Sequence, residues 1–157
     1  MTLRVEIVDE ANDEVVDALN QLLPQLSSTA TVLTLTQLRD LVESPSTTLF
    51  VARSEGTLVG TLTLAVFRIP TGLRGWIEDV VVDESARGTG VGEALTLAAI
   101  EEAKRRGIRS LDLTTRPTRD SANRLYSRLG FERRDTNVYR LFLEDLHTDE
   151  SHYSNNQ

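Results

Sequence analysis

Length, composition and charge already limit what this chain can be. It has 157 residues, 39% hydrophobic and 26% charged, as is typical of a single soluble globular domain. It has no cysteine, which excludes disulfides, thiolate metal sites and cysteine nucleophiles. The net charge of −7 argues against a nucleic-acid partner, which would need a basic face.

No apolar run is long enough to cross a membrane, and the first residues lack a signal-peptide pattern. We therefore expect a cytoplasmic protein without a membrane partner. His147 and His152 lie in a polar C-terminal segment. We predict one domain over residues 1–146, a disordered tail over 147–157, and no metal site within the fold.

The first half of the chain alternates between apolar patterns typical of strands and of helices. The predicted elements are a strand at 3–8, a helix at 13–23 stopped by Pro24, a short helix capped by Thr36, and strands at 48–53, 58–67 and 76–82. Glu55-Gly56-Thr57 has the composition of a hairpin turn between two of these strands.

The second half begins with a long helix, predicted from about residue 90 to residue 106. A strand at 110–115, a helix from Asp120 to Gly130 and a last strand at 138–143 follow. This order of elements predicts a mixed α/β domain.

A glycine-rich turn separates the strand at 76–82 from the long helix. It contains Arg87-Gly88-Thr89-Gly90-Val91-Gly92. A helix start exposes N–H groups without internal partners and carries partial positive charge, and glycines let an anion approach closely. The pattern therefore indicates a phosphate-binding site, to which Arg87 can add a bidentate contact. From the turn alone, a helix start that binds nothing is an equally good interpretation.

Spacing excludes two other phosphate motifs. A P-loop requires a lysine at the helix start, and this stretch has none. A dinucleotide fingerprint requires Gly-x-Gly-x-x-Gly directly at the strand end, whereas these glycines stand at 88, 90 and 92 behind a charged segment.

The pattern Arg-x-x-Gly-x-Gly after an apolar strand resembles motif A of the GNAT family of acyl-CoA-dependent N-acetyltransferases. The strand Trp76-Ile77-Glu78-Asp79-Val80-Val81-Val82-Asp83 is similar to the family's central strand. The stretch Ala122-Asn123-Arg124-Leu125-Tyr126-Ser127-Arg128-Leu129-Gly130-Phe131 is similar to its motif B, Asn-x-x-Leu-Tyr-x-x-x-Gly-Phe. The resemblance implies a GNAT fold, with a mixed, mainly antiparallel sheet, a splayed central strand pair and about four flanking helices.

The resemblance also implies acetyl-CoA as the co-substrate. Its pantetheine arm would pair with the backbone of Val80, Val81 and Val82, and Asn123 would bind the same arm. Its pyrophosphate would rest on the N–H groups of Arg87, Gly88, Thr89, Gly90, Val91, Gly92 and Glu93.

Tyr126 is the candidate general acid and a further candidate contact for the cofactor, because it shares a helix face with Asn123 and a tyrosine of pKa about 10 can protonate a departing thiolate. Periodicity alone favours a packing role for Tyr126 in the apolar stripe of its helix. Glu78 is the preferred general base, acting through a water, and Asp79 is the reserve. Strand alternation places these two carboxylates on opposite faces. Some family members need no dedicated base.

The predicted function is transfer of an acetyl group to a primary amine of a small-molecule or peptide acceptor. The alternatives are a protein or peptide amine acetyltransferase, and a non-catalytic module that binds or senses acyl-CoA. The sequence does not identify the acceptor. We assign the selection of the acceptor to the loops around residues 24–36 and 69–76. A homodimer is implied only by the resemblance to the family, and no sequence feature indicates it.

Overall fold

The computed structural model describes residues 2–146. They fall into two compact units, one ending at Arg119 and a smaller one starting at Asp120. The predictions made for residues 147–157, including both histidines and the disordered tail, lie outside the described residues.

The first unit is an α/β unit. It comprises β1 (Leu3–Ile7), α1 (Asp13–Leu26), α2 (Leu35–Glu43), β2 (Thr47–Ser54), β3 (Thr57–Ile69), β4 (Gly72–Val82), a 3₁₀ turn (Glu84–Ala86), α3 (Val91–Arg105) and β5 (Ser110–Asp112). The second unit contains α4 (Asp120–Arg128) and α5 (Leu143–Leu146).

The five strands form one sheet in the order β1-β2-β3-β4-β5. The first four pair antiparallel, and β5 runs parallel to β4. The predicted mixed, mainly antiparallel sheet is confirmed. Because β5 pairs only with residues 74–76, residues 77–82 of β4 have no strand on that side within the described part of the chain. This opening corresponds to the expected splay of the central strands.

Helices cover both faces of the sheet. Leu49 of β2 belongs to a core cluster with Val15 and Leu19 of α1 and Leu38 of α2, so these helices share one face. On the other face, a Cβ built on Gly60 of β3 would meet side chains of α3. Each layer therefore buries an apolar stripe of helix against the sheet.

The ends of α1 and α2 differ from the prediction. α1 continues through Pro24 to Leu26, because a proline in the last turn removes only one N–H donor and Ser27 still donates to the carbonyl of Leu23, at 3.2 Å. The cap of α2 is Thr34, not Thr36. Its hydroxyl accepts from the N–H of Gln37, while the Gln37 side chain accepts from the N–H of Thr34, which completes a capping box.

The predicted last strand at 138–143 is wrong. Residues 131–142 form neither helix nor strand, and Leu143 begins the short helix α5. An alternating apolar pattern forms a strand only where a neighbour accepts its ladder hydrogen bonds, and no described strand pairs with these residues.

Candidate functional site

The central strand β4 contains a β-bulge at the candidate carboxylates. Glu78 lies opposite Thr63 and Val81 lies opposite Thr61, so one residue of β3 faces two residues of β4. Asp79 adopts φ 49°, a left-handed conformation that aspartate tolerates better than most residues. A bulge bends its strand and leaves the extra residue unpaired. This one lies just beyond the last residue of β4 that pairs with β5.

The bulge interrupts the strand alternation from which the two carboxylates were assigned to opposite faces. Residues opposite one another in a sheet share a face, so Glu78 and Val81 lie on the same side although they are three positions apart. Leu49 is also paired with Thr63, which makes this the face of α1 and α2. Glu78 and Asp79 are both exposed.

The turn after β4 is built by short local hydrogen bonds. The carboxylate of Asp83 accepts from both the N–H and the hydroxyl of Ser85, and this starts the 3₁₀ turn. The hydroxyl of Thr89 donates to the carbonyl of Ala86 at 2.5 Å. Gly88 and Gly90 follow with φ of 76° and 89°, and a Cβ built on either glycine would meet no atom within 4 Å. Open space therefore lies directly above the backbone of this turn.

The N-terminus of α3 carries no side-chain cap. Its cap residue is Gly90, so no side-chain oxygen of that residue accepts from the first N–H groups of the helix. Val91, by contrast, is only 1% exposed. A Cβ built on Gly60 would lie 2.9 Å from the Cγ1 of Val91, closer than packed side chains allow. Gly60 thus lets the first turn of α3 pack closely against the sheet.

Gln25, near the end of α1, ties that helix to the same turn. Its Nε2 donates to Oδ1 of Asp83 at 2.8 Å, and its Oε1 accepts from the N–H of Glu84 at 3.0 Å. Hydrogen bonds from Ser85 and then from Gln25 lower the pKa of Asp83 below its usual value. Sequence reasoning missed Gln25, because no local pattern links residues so far apart. The role of Gly60 could have been inferred from the sequence, because a glycine inside a strand often marks a close approach of another part of the chain.

The second unit carries Asn123 and Tyr126 on α4. α4 ends at Arg128, and Gly130, which was predicted to terminate it, follows in the turn with φ 98°. The N–H of Phe131 donates to the carbonyl of Tyr126 at 3.0 Å and that of Gly130 donates to the carbonyl of Ser127 at 3.2 Å, which is a Schellman motif. The rings of Tyr126 and Phe131 meet edge to face with centroids 5.7 Å apart, so the helix end also orients the tyrosine.

The first unit thus holds the candidate carboxylates, residues 80–82 and the turn at 87–93 on one continuous stretch, whereas Asn123 and Tyr126 lie together on α4. Within residues 2–146, no group of three or more histidine or acidic side chains is arranged to hold a metal ion. The helices described here include none with the length and apolar character needed to cross a bilayer.

The model of the Acetyltransferase (GNAT) family matches residues 12–131, most of the chain and parts of both units. The match includes the bulged strand, the glycine turn and α4. The chain therefore belongs to the GNAT acetyltransferase family.

Individual relatives agree with this assignment. A mycothiol acetyltransferase from Thermobispora bispora is 40% identical over 87 residues, which cover 54% of this chain and 30% of that protein. A transcriptional regulator from Bacillus halodurans superposes with a TM-score of 0.76 at 26% identity, covering 90% of this chain and 100% of that one. An aminoglycoside acetyltransferase from a soil metagenomic sample, solved with sisomicin, has a TM-score of 0.76 at 20% identity, covering 89% and 96% of the two chains, and so shows the fold alone.

Proposed function

We propose that this chain is an acetyl-CoA-dependent N-acetyltransferase that acetylates a primary amine by direct attack. The observation that carries the proposal is the start of α3, where two left-handed glycines leave open space above an uncapped helix N-terminus. A Cβ at either position would occupy the space that a phosphate oxygen needs to reach the backbone N–H groups. The residues present therefore fit a pyrophosphate.

The rest of the co-substrate is assigned to β4 and α4. On the side away from β3, no strand within residues 2–146 pairs with residues 80–82, so an extended pantetheine arm could lie there as an added strand would. Asn123 is assigned a hydrogen bond to the same arm. Arg87 is exposed at the turn and its guanidinium suits a phosphate oxygen.

Bound acetyl-CoA supplies an activated thioester carbonyl. The neutral amine of the acceptor attacks the carbonyl carbon, so a C–N bond forms and the C–S bond breaks. Tyr126 gives its hydroxyl proton to the departing sulfur, and the edge contact with Phe131 holds its ring in place. Glu78 accepts the proton lost by the amine, through a water.

The acceptor class is proposed as a hydroxyl-rich amine without acidic groups. One relative is a mycothiol acetyltransferase, and one structural neighbour is an aminoglycoside acetyltransferase solved with sisomicin. Residues 27–34, between α1 and α2, include no charged side chain and are rich in serine and threonine. Hydroxyl side chains both donate and accept hydrogen bonds, which suits a hydroxyl-rich acceptor rather than an acidic one.

Activity is tested by thiol release from acetyl-CoA over a panel of aminoglycosides, amino sugars and peptides with free N-termini, with the acetylated product identified by mass spectrometry. Tyr126→Phe should lower kcat by about 10²–10³-fold while leaving the affinity for CoA unchanged. Tyr139→Phe is the matched control, since Tyr139 is 89% exposed and has no assigned role, and it should keep full activity.

The base is tested separately with Glu78→Gln and Asp79→Asn. The assignment predicts that only Glu78→Gln flattens the rise of kcat/KM with pH, with a loss of about 10²-fold at neutral pH. A loss confined to Asp79→Asn would reassign the base, and full activity in both variants would mean that bulk water removes the proton.

A second candidate function, a sensor that binds acyl-CoA without turnover, is favoured by the solved neighbour described as a transcriptional regulator. Tight CoA binding combined with no thiol release on any amine would support that function and exclude the enzyme.

A further inference from the structure

Gln25 connects α1, which leads into the loop assigned to the acceptor, with the turn assigned to the CoA pyrophosphate. Its side-chain amide is oriented by two hydrogen bonds at once, donating to the Asp83 carboxylate and accepting from the N–H of Glu84. Both partners lie at the entrance of the glycine turn, 58 and 59 positions further along the chain. A bidentate amide of this kind fixes position and direction together, because each end has a partner of only one type.

A second amide on the same helix holds the loop that follows. Asn20 donates from Nδ2 to the carbonyl of Leu33 at 2.9 Å, and its Oδ1 accepts from the Leu33 N–H at 2.8 Å. α1 therefore holds the end of loop 27–34 through Asn20 and the start of the cofactor turn through Gln25. The loop assigned to the acceptor and the turn assigned to the pyrophosphate are therefore both hydrogen-bonded to side chains of α1.

We propose that Gln25 is a positioning residue for the CoA pyrophosphate, which sets the glycine turn relative to α1 and couples that turn to the acceptor loop 27–34. The inference rests on the proposed function, because it takes the turn as the seat of CoA.

Three features of the contacts support this role. Asp83 is the last residue before the 3₁₀ turn, and its second oxygen already caps Ser85, so moving Asp83 moves the turn. Gln25 is exposed, so its contacts add little to the core. Hydrogen bonds from Ser85 and then from Gln25 lower the pKa of Asp83, because both stabilise its charged form.

A swap of the two side chains isolates the hydrogen bond. In Asp83→Asn, the amide oxygen at position 83 still accepts the hydrogen bond from Ser85. Its NH₂ group then faces the NH₂ group of Gln25, so two donors meet without an acceptor between them. In Gln25→Glu, two carboxylates face each other. In the double variant, the new carboxylate at position 25 accepts from the new amide at position 83 and from the Glu84 N–H, and the net charge equals that of the parent.

CoA affinity is measured by calorimetry for the parent, both single variants and the double variant. We expect each single variant to weaken binding by about 10-fold and the double variant to return to within about 2-fold of the parent. Simple charge repulsion predicts a different result, in which Asp83→Asn binds CoA more tightly than the parent. Gln21→Ala, one turn earlier on α1, is the control and should bind like the parent.

Amide hydrogen exchange supplies the readout that general destabilisation would not give. In the parent, saturating CoA should slow exchange both in the turn at 84–93 and in the loop at 27–33. In Gln25→Ala, saturating CoA should still protect the turn but should no longer protect the loop.

The outcomes separate the two claims. If the unmodified chain does not bind CoA, the proposed function fails, and the role of Gln25 fails with it. If the parent binds CoA and the four proteins bind equally, or the double variant stays as weak as the weaker single variant, only the role of Gln25 is overturned. If the swap variants do not fold by circular dichroism, Gln25→Ala decides the point through its affinity and its loop exchange.

Discussion

Two helix ends in this molecule use the same glycine conformation to opposite effect. Gly90 starts α3 with φ 89°, and Gly130 follows α4 with φ 98°. At Gly130 the chain folds back, and two backbone hydrogen bonds satisfy the last carbonyls of the helix. At Gly90 no side chain caps the first N–H groups, and the space above the glycine is open.

The difference shows how a glycine's role follows from its surroundings. A left-handed glycine has a structural role where backbone hydrogen bonds already satisfy the helix end. Where a helix start has no side-chain cap and borders open space, its first N–H groups are available as donors to a ligand. We therefore assign the ligand to Gly90 and the orientation of Tyr126 to Gly130.

The largest expected effect comes from Gly90→Val. A β-branched residue is strained at this φ, and its side chain would fill the space above the turn, so CoA affinity should fall by at least about 100-fold. Calorimetry with CoA measures the loss, and circular dichroism checks that the fold is native. Gly56→Val is the matched control, since Gly56 has φ 84° and equally open space in the β2–β3 hairpin. Equal affinity in the parent and Gly90→Val would reject the turn as the pyrophosphate site.

A smaller effect is expected from Gly130→Ala. Alanine in the left-handed region costs about 1–2 kcal/mol, which should weaken the Schellman motif. The amide protons of Gly130 and Phe131 should exchange about 10-fold faster, and kcat should fall more than CoA affinity because Tyr126 loses its fixed orientation. If Gly130→Ala instead removed CoA binding as fully as Gly90→Val, the contrast between the two helix ends would be wrong.

The smallest effect is expected from acidification. The pKa of Asp83 is lowered in the folded chain by Ser85 and then by Gln25. The stability that Asp83 contributes is therefore complete above its unfolded pKa, about 3.9, and is lost as the pH falls through the lower folded value. The Tm difference between the parent and Asp83→Asn should be constant from neutral pH down to about pH 4 and should shrink below it. A difference that does not change with pH would show that the charge of Asp83 is unimportant.

The sequence was sufficient where structure follows from short-range chemistry. Glycine, charge and apolar spacing placed α3 and the turn before it, and the Gly-Phe pair predicted the closed end of α4. The family motifs predicted the mixed sheet and its splay. The turn and both helix ends depend on residues close together in the chain, whereas the sheet followed from the resemblance to the family.

The sequence was insufficient where a partner strand or a distant residue decides. The bulge at Asp79 depends on the register with β3, so simple alternation could not predict that Glu78 and Val81 share a face. The stretch 138–143 has the pattern of a strand but no described strand to pair with. Gln25 meets Asp83 only because α1 and the end of β4 are brought together by folding.

The part of β4 beyond residue 76, which pairs with no strand on its β5 side within residues 2–146, has a consequence for self-association. An exposed strand edge is a template for pairing with a second molecule, and residues 80–82 are three consecutive valines. The bulge twists this edge, and the exposed side chains of Glu78 and Asp79 put negative charge beside it. Like charges of Asp79 on two such edges would oppose their pairing, so this carboxylate would also limit self-association. Asp79→Asn should therefore make the chain aggregate more readily, and CoA bound along the edge should reduce that tendency.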